Sequence, residues 1–508
     1  MWFIPFDLIK IFYAIGLIGL SIFGINSLVL TLLYFRSRNL PPAYERMESE
    51  AKSFPKVTVQ LPIYNERYMV ERLIESVVHL DYPPEKLQIQ VLDDSTDMTA
   101  GLVRVLVSHY QSQGVDIQLI QRTDRSGFKA GALVEGLKRA SGELVAIFDA
   151  DFVPPSGWLM RTAPAFNDPG LGCLQTRWEH LNYDYNHLTQ AQALGIDGHF
   201  IIEQTARSRN DLFLNFNGTA GIWRRAAIVD AGGWQADTLT EDLDLSYRAQ
   251  LRGWRIGYLP DVVVPAELPA QIEAFKSQQF RWAKGSMQTL RKLIPMLLHS
   301  SQPLRVKIGG LVHLAGYAVH PLMLMVLLLT LPAGLFVGSI MHYFAFTGLI
   351  TFGPPLLYLM TRTQRTLRFR DRLRILPLLV LLGFGLSLNN TIAVLQGLFG
   401  KGGDFKRTPK YNLQNRQGSW IGSAYSLPHS PLVWGEVGLA AYALLTIVLL
   451  VPVVGWEIGP WMMVYVAGYL YIAGLGIVQS VNSARGTRPK TARGKRRKTQ
   501  PRIPEVGD

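Results

Sequence analysis

The chain predicts an α/β domain on a parallel sheet with helices on both faces, joined to an α-helical membrane region. Three observations carry this. Between residues 57 and 148, short β-branched apolar runs alternate with stretches of helical spacing. Outside the central region lie five apolar segments, each about the roughly 20 residues a bilayer requires. The loops between the later segments are strongly basic, the bias that orients membrane proteins. Length alone, 508 residues, suggests two to four domains.

The first apolar segment covers residues 9–35. It is too long for a signal-peptide core and lacks a basic start and a small-residue cleavage site, so it reads as an anchor within residues 1–36. Residues 37–305 have ordinary globular composition. Within them, 57–61 is a β-branched run ended by Pro62, and 70–80 has helical spacing. A second strand, 87–92, ends at Asp93. A helix follows at 99–110, a strand at 115–120, a helix at 129–139 and a strand at 144–148. The order βαβαβαβ implies parallel strands. Such sheets bind ligands beyond the carboxyl ends of their strands. Polar clusters stand there: Tyr64-Asn65-Glu66, Asp93-Asp94 and Asp149-Ala150-Asp151. Neither a GxGxxG fingerprint nor a GxxxxGK[ST] loop is present, which argues against a dinucleotide fold and a P-loop ATPase. Residues 270–298 read as an amphipathic helix lying near the membrane.

Membrane candidates continue at 308–337, 343–360, 433–454 and 461–481, within a region spanning 306–482. A further stretch, 375–399, is decided by charge. Loop 361–374 holds six arginines against Asp371, and loop 401–418 holds five bases against Asp404. The positive-inside rule places both in the cytoplasm with the basic tail. They share a side only if 375–399 lies along the interface, and Asn389 and Asn390 in its middle favour that. The expectation is therefore five crossings, an outside N-terminus and a cytoplasmic 37–305 domain. The outer loop 455–460 has Glu457 and no base.

The formal charge is +13, and the tail 483–508 alone carries +7, nine bases against Glu505 and Asp508. An apolar segment precedes this tail, so an anionic membrane surface suits it better than nucleic acid. The plainer reading is a solvated, disordered segment that sets topology, too polar to fold as a regulatory domain. A single cysteine, Cys173, excludes an internal disulfide framework and a cysteine-based zinc site.

Asp149 and Asp151 end an apolar strand with two acids one residue apart. Carboxylate oxygens suit hard cations, and Mg²⁺ or Mn²⁺ bridges one or two of them to substrate phosphates. Asp151 is the more direct ligand, and Asp93 stands where a nucleotide base or ribose would lie. An isolated Asp-x-Asp is weak; an ordered set is not. Further along stand Phe216-Asn217-Gly218-Thr219-Ala220-Gly221, Thr240-Glu241-Asp242 and Gln278-Gln279-Phe280-Arg281-Trp282. Asp, Asp-x-Asp, Thr-Glu-Asp and Gln-x-x-Arg-Trp in this order resemble the processive, cellulose-synthase-like family-2 glycosyltransferases. QVLDDSTD, FKAGAL, IFDADF, FNGTAG and EDLDL look like the A and C types that make mannan, glucomannan or glucan backbones. The resemblance covers roughly residues 55–300.

The resemblance implies a GT-A domain and a set of roles. Glu66, Asp93 and Asp94 match nucleotide-contacting positions, and Lys129 a lysine near the donor. Asp149 and Asp151 match the metal motif. Asp242, with Glu241 beside it, matches the general base. Gln278, Arg281 and Trp282 match the motif that holds the diphosphate and the acceptor end. Phe405 to Lys410 looks like the gating segment over the nucleotide, with Arg407 where valine is expected and Pro409 stiffening it. Thr408 and Lys410 stand where a diphosphate would be met. Physical chemistry agrees with these roles. An acceptor hydroxyl needs a base, supplied by Asp242. A departing diphosphate needs positive charge, from a divalent cation and from Arg281. Trp282 offers a flat apolar face for a sugar ring. One base and direct displacement invert the anomeric centre.

Plainer readings stand beside these. Asp242 and Asp244 suit the first turn of a helix N-capped by Thr240, Trp282 suits an interface anchor, and Asn217-Gly218 suits a tight turn. The aromatics Trp461, Tyr465, Tyr469 and Tyr471 suit packing better than sugar stacking. The expected partners are a nucleotide-sugar donor (GDP-mannose, GDP-glucose or UDP-glucose), a polysaccharide or lipid acceptor, and membrane lipids, with no nucleic acid. A glycolipid synthase acting on diacylglycerol or ceramide would need nearly the same residues. A transporter or scaffold that only binds a nucleotide sugar would not need Asp242. Linkage, partner proteins and oligomeric state stay open.

Overall fold

The computed structural model describes residues 6–40, 54–337, 352–363, 368–400, 402–403 and 407–486. Seven strands form one sheet: β1 Val57–Ile63, β2 Leu87–Asp93, β3 Ile117–Gln121, β4 Leu144–Ile147, β5 Leu171–His180, β6 Gly221–Arg224 and β7 Arg255–Ala266. Their order is β3-β2-β1-β4-β6-β5-β7. The four expected strands are parallel, with Val57 paired to Leu87 on one side and Leu144 on the other. Helices Val70–Val78, Thr99–Ser112 and Phe128–Arg139 connect them within two residues of the expected limits.

The sheet is not wholly parallel, which corrects the expectation. β6 runs antiparallel to both β4 and β5, while β5 and β7 pair in parallel. Reversal follows from the 216–220 turn, where Gly218 (φ +82°) and Ala220 (φ +53°) take left-handed conformations. Because β6 points backwards, its leading turn lies at the carboxyl end of β4, where the Ala220 N–H donates to the Ile147 carbonyl at 2.9 Å. That delivers Asn217 and Gly218 beside Asp149.

Strand alternation divides the core. Val57, Val59, Leu61 and Ile63 of β1 join Leu144, Ala146 and Phe148 in one cluster, and Val145 and Ile147 face a second one with Trp223 and Trp234. The other face of β1 is polar yet buried. Thr58 Oγ1 donates to Gln88 Oε1 at 2.8 Å and Gln60 Nε2 to Gln90 Oε1 at 3.0 Å, while Gln60 Oε1 and Gln90 Nε2 are buried without a partner.

Among the described residues four helices are long and apolar enough to cross a membrane: Asp7–Ser37, Gly316–Phe336, Leu432–Val454 and Trp456–Ser483. The first ends against the sheet domain. Arg209 Nη1 donates to the carbonyls of Ser37 (3.1 Å) and Arg38 (2.7 Å), a cation on the negative end of a helix. The segment expected at 308–337 is broken: Leu304–Leu314 is a separate helix, followed by a 3₁₀ turn at Gly316–Ala318. Of the expected 343–360 span, Gly353–Met360 is a helix, while 343–351 lies outside the described residues, as does the tail from 487. The 375–399 stretch belongs to two helices, Phe369–Gly385 and Ser387–Phe399, bent by 47° at their junction. Asn389 and Asn390 are buried there, with Asn389 Nδ2 donating to the Lys276 carbonyl (3.1 Å). Tyr465 donates to the Met323 carbonyl (2.8 Å), and the Tyr469 hydroxyl lies 2.7 Å from Ser387 Oγ, so both pack. The amphipathic helix is present as Ile272–His299.

Candidate active site

Phe148 and Phe152 are buried in the core on either side of the two acids. The apolar run therefore ends with its aromatics anchored and its carboxylates at the rim. Backbone placement is fixed by Thr219, whose Oγ1 accepts from the Asp149 N–H at 2.9 Å. Asp149 pairs with Lys129 Nζ at 2.5 Å, and Lys129 also donates to the Gly218 carbonyl at 2.9 Å. Asp151 pairs with Lys410, which also donates to the Glu267 carbonyl. Glu66 pairs with Arg407 at 2.8 Å. Three cation–carboxylate contacts thus stand around one cleft.

The Glu241–Leu251 helix enters the same cleft. Thr240 occupies its N-cap position, but the side chain makes no capping bond. Its Oγ1 lies 3.0 Å from Thr289 Oγ1, tying this helix start to Ile272–His299. Gly285 permits the contact, since a Cβ there would stand 2.6 Å from Thr240 Cγ2. Asp242 Oδ1 accepts from the Leu243 N–H at 2.8 Å. Gly218 is equally constrained: a Cβ would meet Asp242 Oδ2 at 2.9 Å. Gln278, Arg281 and Trp282 line the cleft from the Ile272–His299 helix.

Two helices are locked together beneath the site. Asp244 is fully buried and takes Arg248 on Oδ2 (2.7 Å) and Lys292 on Oδ1 (3.0 Å). Asp244→Asn removes the charge that two cations face, so we expect a loss of about 3–5 kcal/mol in stability, measured by denaturant unfolding.

Burial sets the electrostatics. Asp242 is pushed up to about 7 by burial and then by the neighbouring Glu241 charge, with Lys129 opposing. Glu241 is raised by burial against the pull of Lys129. Glu66 is pushed up to about 8 by burial, in spite of Arg407. Burial pulls Lys129 down, but Asp149 and Glu241 outweigh it and the net direction is up. Burial lowers Arg281 although Glu241 and Asp149 support its charge.

Every residue given a catalytic, substrate-binding or metal role from the sequence lines this cleft except Asp93. Asp93 is buried deeper. Its Oδ1 accepts from the Ser95 N–H (3.0 Å) and its Oδ2 from Gln121 Nε2 (2.9 Å). Asp94 does face the cleft, with Arg122 Nε on its Oδ1 at 3.0 Å. Sequence reasoning passed over Glu267, whose buried carboxylate accepts from the Tyr411 (2.8 Å) and Leu413 (2.9 Å) N–H groups and so pins the segment bearing Thr408 and Lys410. It also passed over Arg125, whose guanidinium lies 3.3 Å from the centre of the Tyr64 ring. Glu267 follows the β-branched run 262–264, a strand end that repeats the placement of Asp149. Phe405 and Lys406 of the gating-like segment lie outside the described residues.

Among the described residues no three His, Cys, Asp or Glu side chains gather as a closed metal cage. Asp149 and Asp151 nevertheless fit a divalent cation that takes part of its shell from a diphosphate. They are hard oxygen donors, and each already faces an ammonium group, so the site favours positive charge.

Comparison with known proteins agrees with this geometry. Residues 55–285 match a family model described as glycosyltransferase like family 2. Over 266 residues the chain is 43% identical to glucomannan 4-β-mannosyltransferase 2 of Arabidopsis thaliana, covering 51% of this chain and 50% of that protein. Over 257 residues it is 42% identical to glucomannan 4-β-mannosyltransferase 9 of the same plant, covering 50% and 48%. The chain thus spans about half the length of the curated relatives it matches. A mannosyltransferase of Pyrobaculum calidifontis, solved in complex with GDP-Man and Mn²⁺, superposes with a TM-score of 0.53 at 22% identity, covering 76% of this chain and 99% of that one. That likeness concerns the fold. With the acids at the strand ends and the Thr-Glu-Asp and Gln-x-x-Arg-Trp helices closing on them, residues 55–285 are a family-2 glycosyltransferase domain of GT-A fold.

Proposed function

We propose that the chain is a membrane-embedded, inverting β-mannosyltransferase that moves mannose from GDP-mannose to a growing β-1,4-linked polysaccharide. One observation carries the reading. Asp149 and Asp151, Glu241 and Asp242, and Gln278, Arg281 and Trp282 come from three distant parts of the chain and line one cleft. The relatives that cover half of the chain are named glucomannan 4-β-mannosyltransferases, which supports mannose over glucose as the sugar.

Asp242 accepts the proton of the acceptor hydroxyl as that oxygen attacks the anomeric carbon. Its raised pKa matches the task, because a base works best when its pKa lies near the working pH. Attack from the face opposite the diphosphate inverts the centre, so an α-linked donor gives a β-linked product. Arg281 and Lys129 supply fixed positive charge to the leaving group. Lys410, paired with Asp151, can turn its ammonium to a phosphate oxygen when the donor binds. Asp149 and Asp151, with Asp151 the more direct ligand, would hold a divalent cation, whose charge would offset that of the departing diphosphate. Trp282 offers its face to the acceptor sugar. The basic loops support five crossings with the catalytic domain in the cytoplasm.

Asp242 is useful only when ionised. Activity is therefore expected to rise with pH through about 7 and to fall below it. A cation at Asp151 draws that limb towards lower pH. A profile of kcat/KM for GDP-mannose from pH 5 to 9 checks this; a flat profile from 5 to 7 contradicts the assignment. The donor is tested with purified protein, Mn²⁺ and separately labelled GDP-mannose, GDP-glucose and UDP-glucose. Transfer from GDP-mannose at least tenfold above the others is expected, and preference for either glucose donor overturns it.

A further inference from the structure

The Ile272–His299 helix is clamped at two places, and the second clamp involves a charge within a helix apolar enough to cross a membrane. Towards its middle, the Thr240–Thr289 contact and the Lys292–Asp244 pair fix it to the catalytic helix. At its start, the Ile272 N–H donates to Gln479 Oε1 of the Gly459–Gly486 helix at 2.8 Å. One turn further on, Lys276 Nζ lies 2.6 Å from Glu436 Oε1 of the Leu432–Val454 helix, and Asn389 Nδ2 holds the Lys276 carbonyl. Lys276 is 3% exposed and Glu436 0%, so water screens neither. Glu273 adds a carboxylate 3.8 Å from the same ammonium. Gln278, Arg281 and Trp282 lie between the two clamps.

A fully buried glutamate one turn inside a helix apolar enough to cross a membrane is costly and calls for a role. A buried pair often gives less stability than apolar residues of similar volume, and its best-attested use is to fix register. Apolar side chains at these two positions would tolerate small shifts of the helix against the bundle, whereas a carboxylate–ammonium contact adds a directional restraint to the neighbouring hydrogen bonds. A shift of about 1 Å at a positioned group costs on the order of 10²-fold in rate.

We infer that Lys276 and Glu436 are positioning residues for sugar transfer: their pair sets the Gln278–Trp282 segment in register with the membrane bundle. This rests on the proposed transferase reading. The test uses the full chain in detergent with Mn²⁺ and GDP-mannose, a β-1,4-mannotetraose acceptor, and hydrogen exchange of the 276–284 amides. Glu436→Gln leaves Lys276 buried without its partner, and a fall in folded yield would be ambiguous alone. Lys276→Met/Glu436→Leu removes both charges and is expected to fold with an unchanged or higher Tm. In it we expect kcat to fall by about 10-fold or more, KM for GDP-mannose to stay within about twofold, and exchange at 276–284 to quicken by about 10-fold. The exchanged pair Lys276→Glu/Glu436→Lys is expected to recover part of kcat. Wild-type kcat, or wild-type exchange, in the double apolar variant overturns the inference. If the wild type transfers no sugar, the transferase reading fails, and the exchange measurement still decides the register claim.

Discussion

Asp242→Asn is expected to bind donor as the wild type does and to lose transfer by about 10²–10⁴-fold, the usual contribution of a positioned base. The substitution keeps the shape of the side chain, so the Leu243 N–H keeps an acceptor and the helix start stays where Thr240 and Gly218 hold it. What it loses is the basic carboxylate oxygen that takes the hydroxyl proton. Neutralising Asp242 also removes a charge that raises Lys129 and supports Arg281, so donor affinity should change little or rise. Titration of GDP-mannose by calorimetry beside initial rates separates the two effects. Full transfer activity in Asp242→Asn would show that Asp242 is not the base, whereas donor binding without transfer in both proteins would leave a scaffold or transporter.

Asp151→Asn is expected to act on the cation. A neutral amide is a weaker donor to a hard ion than a carboxylate. It also releases Lys410, whose ammonium pairs with Asp151 and with the Glu267 carbonyl. We expect the apparent affinity for Mn²⁺, followed through its paramagnetic signal with GDP present, to weaken by about tenfold or more, and transfer to fall on the order of 10²-fold. High Mn²⁺ should recover part of the rate, whereas it should not help Asp242→Asn. Equal Mn²⁺ affinity in both proteins would show that the ion does not use Asp151.

Legibility followed locality. The strands and helices from 57 to 148 show in the sequence because each is periodic over its own length, and they appear within two residues of their expected limits. β5 is harder: Arg177 and Glu179 interrupt its apolar pattern. β6 is four residues long, and its reversed direction depends on a turn whose left-handed residues include Ala220, which nothing in its type announces. The break after Leu314 was hidden because Ala315 and Gly316 are as compatible with an apolar span as with its interruption. In the site, acids after strand ends were visible, since the sheet brings such ends together. Asp93 and Asp94 were not separable from composition; the two-residue period of a strand sends one inward to Gln121 and the other to the cleft. Partnerships across long sequence separations were invisible. Glu267 pins the backbone of Tyr411 and Leu413, and Lys276 meets Glu436, through folding that no local pattern encodes.

The central claim is that this cleft builds a β-linked polymer rather than a single glycolipid. Labelled GDP-mannose, Mn²⁺ and the purified protein should be incubated with Asp242→Asn as control, and the products divided into organic-soluble and ethanol-insoluble fractions. The account predicts ethanol-insoluble label that β-mannanase digests and that Asp242→Asn fails to make. Label confined to the organic phase as one lipid species would contradict it and assign the same residues to a glycolipid synthase.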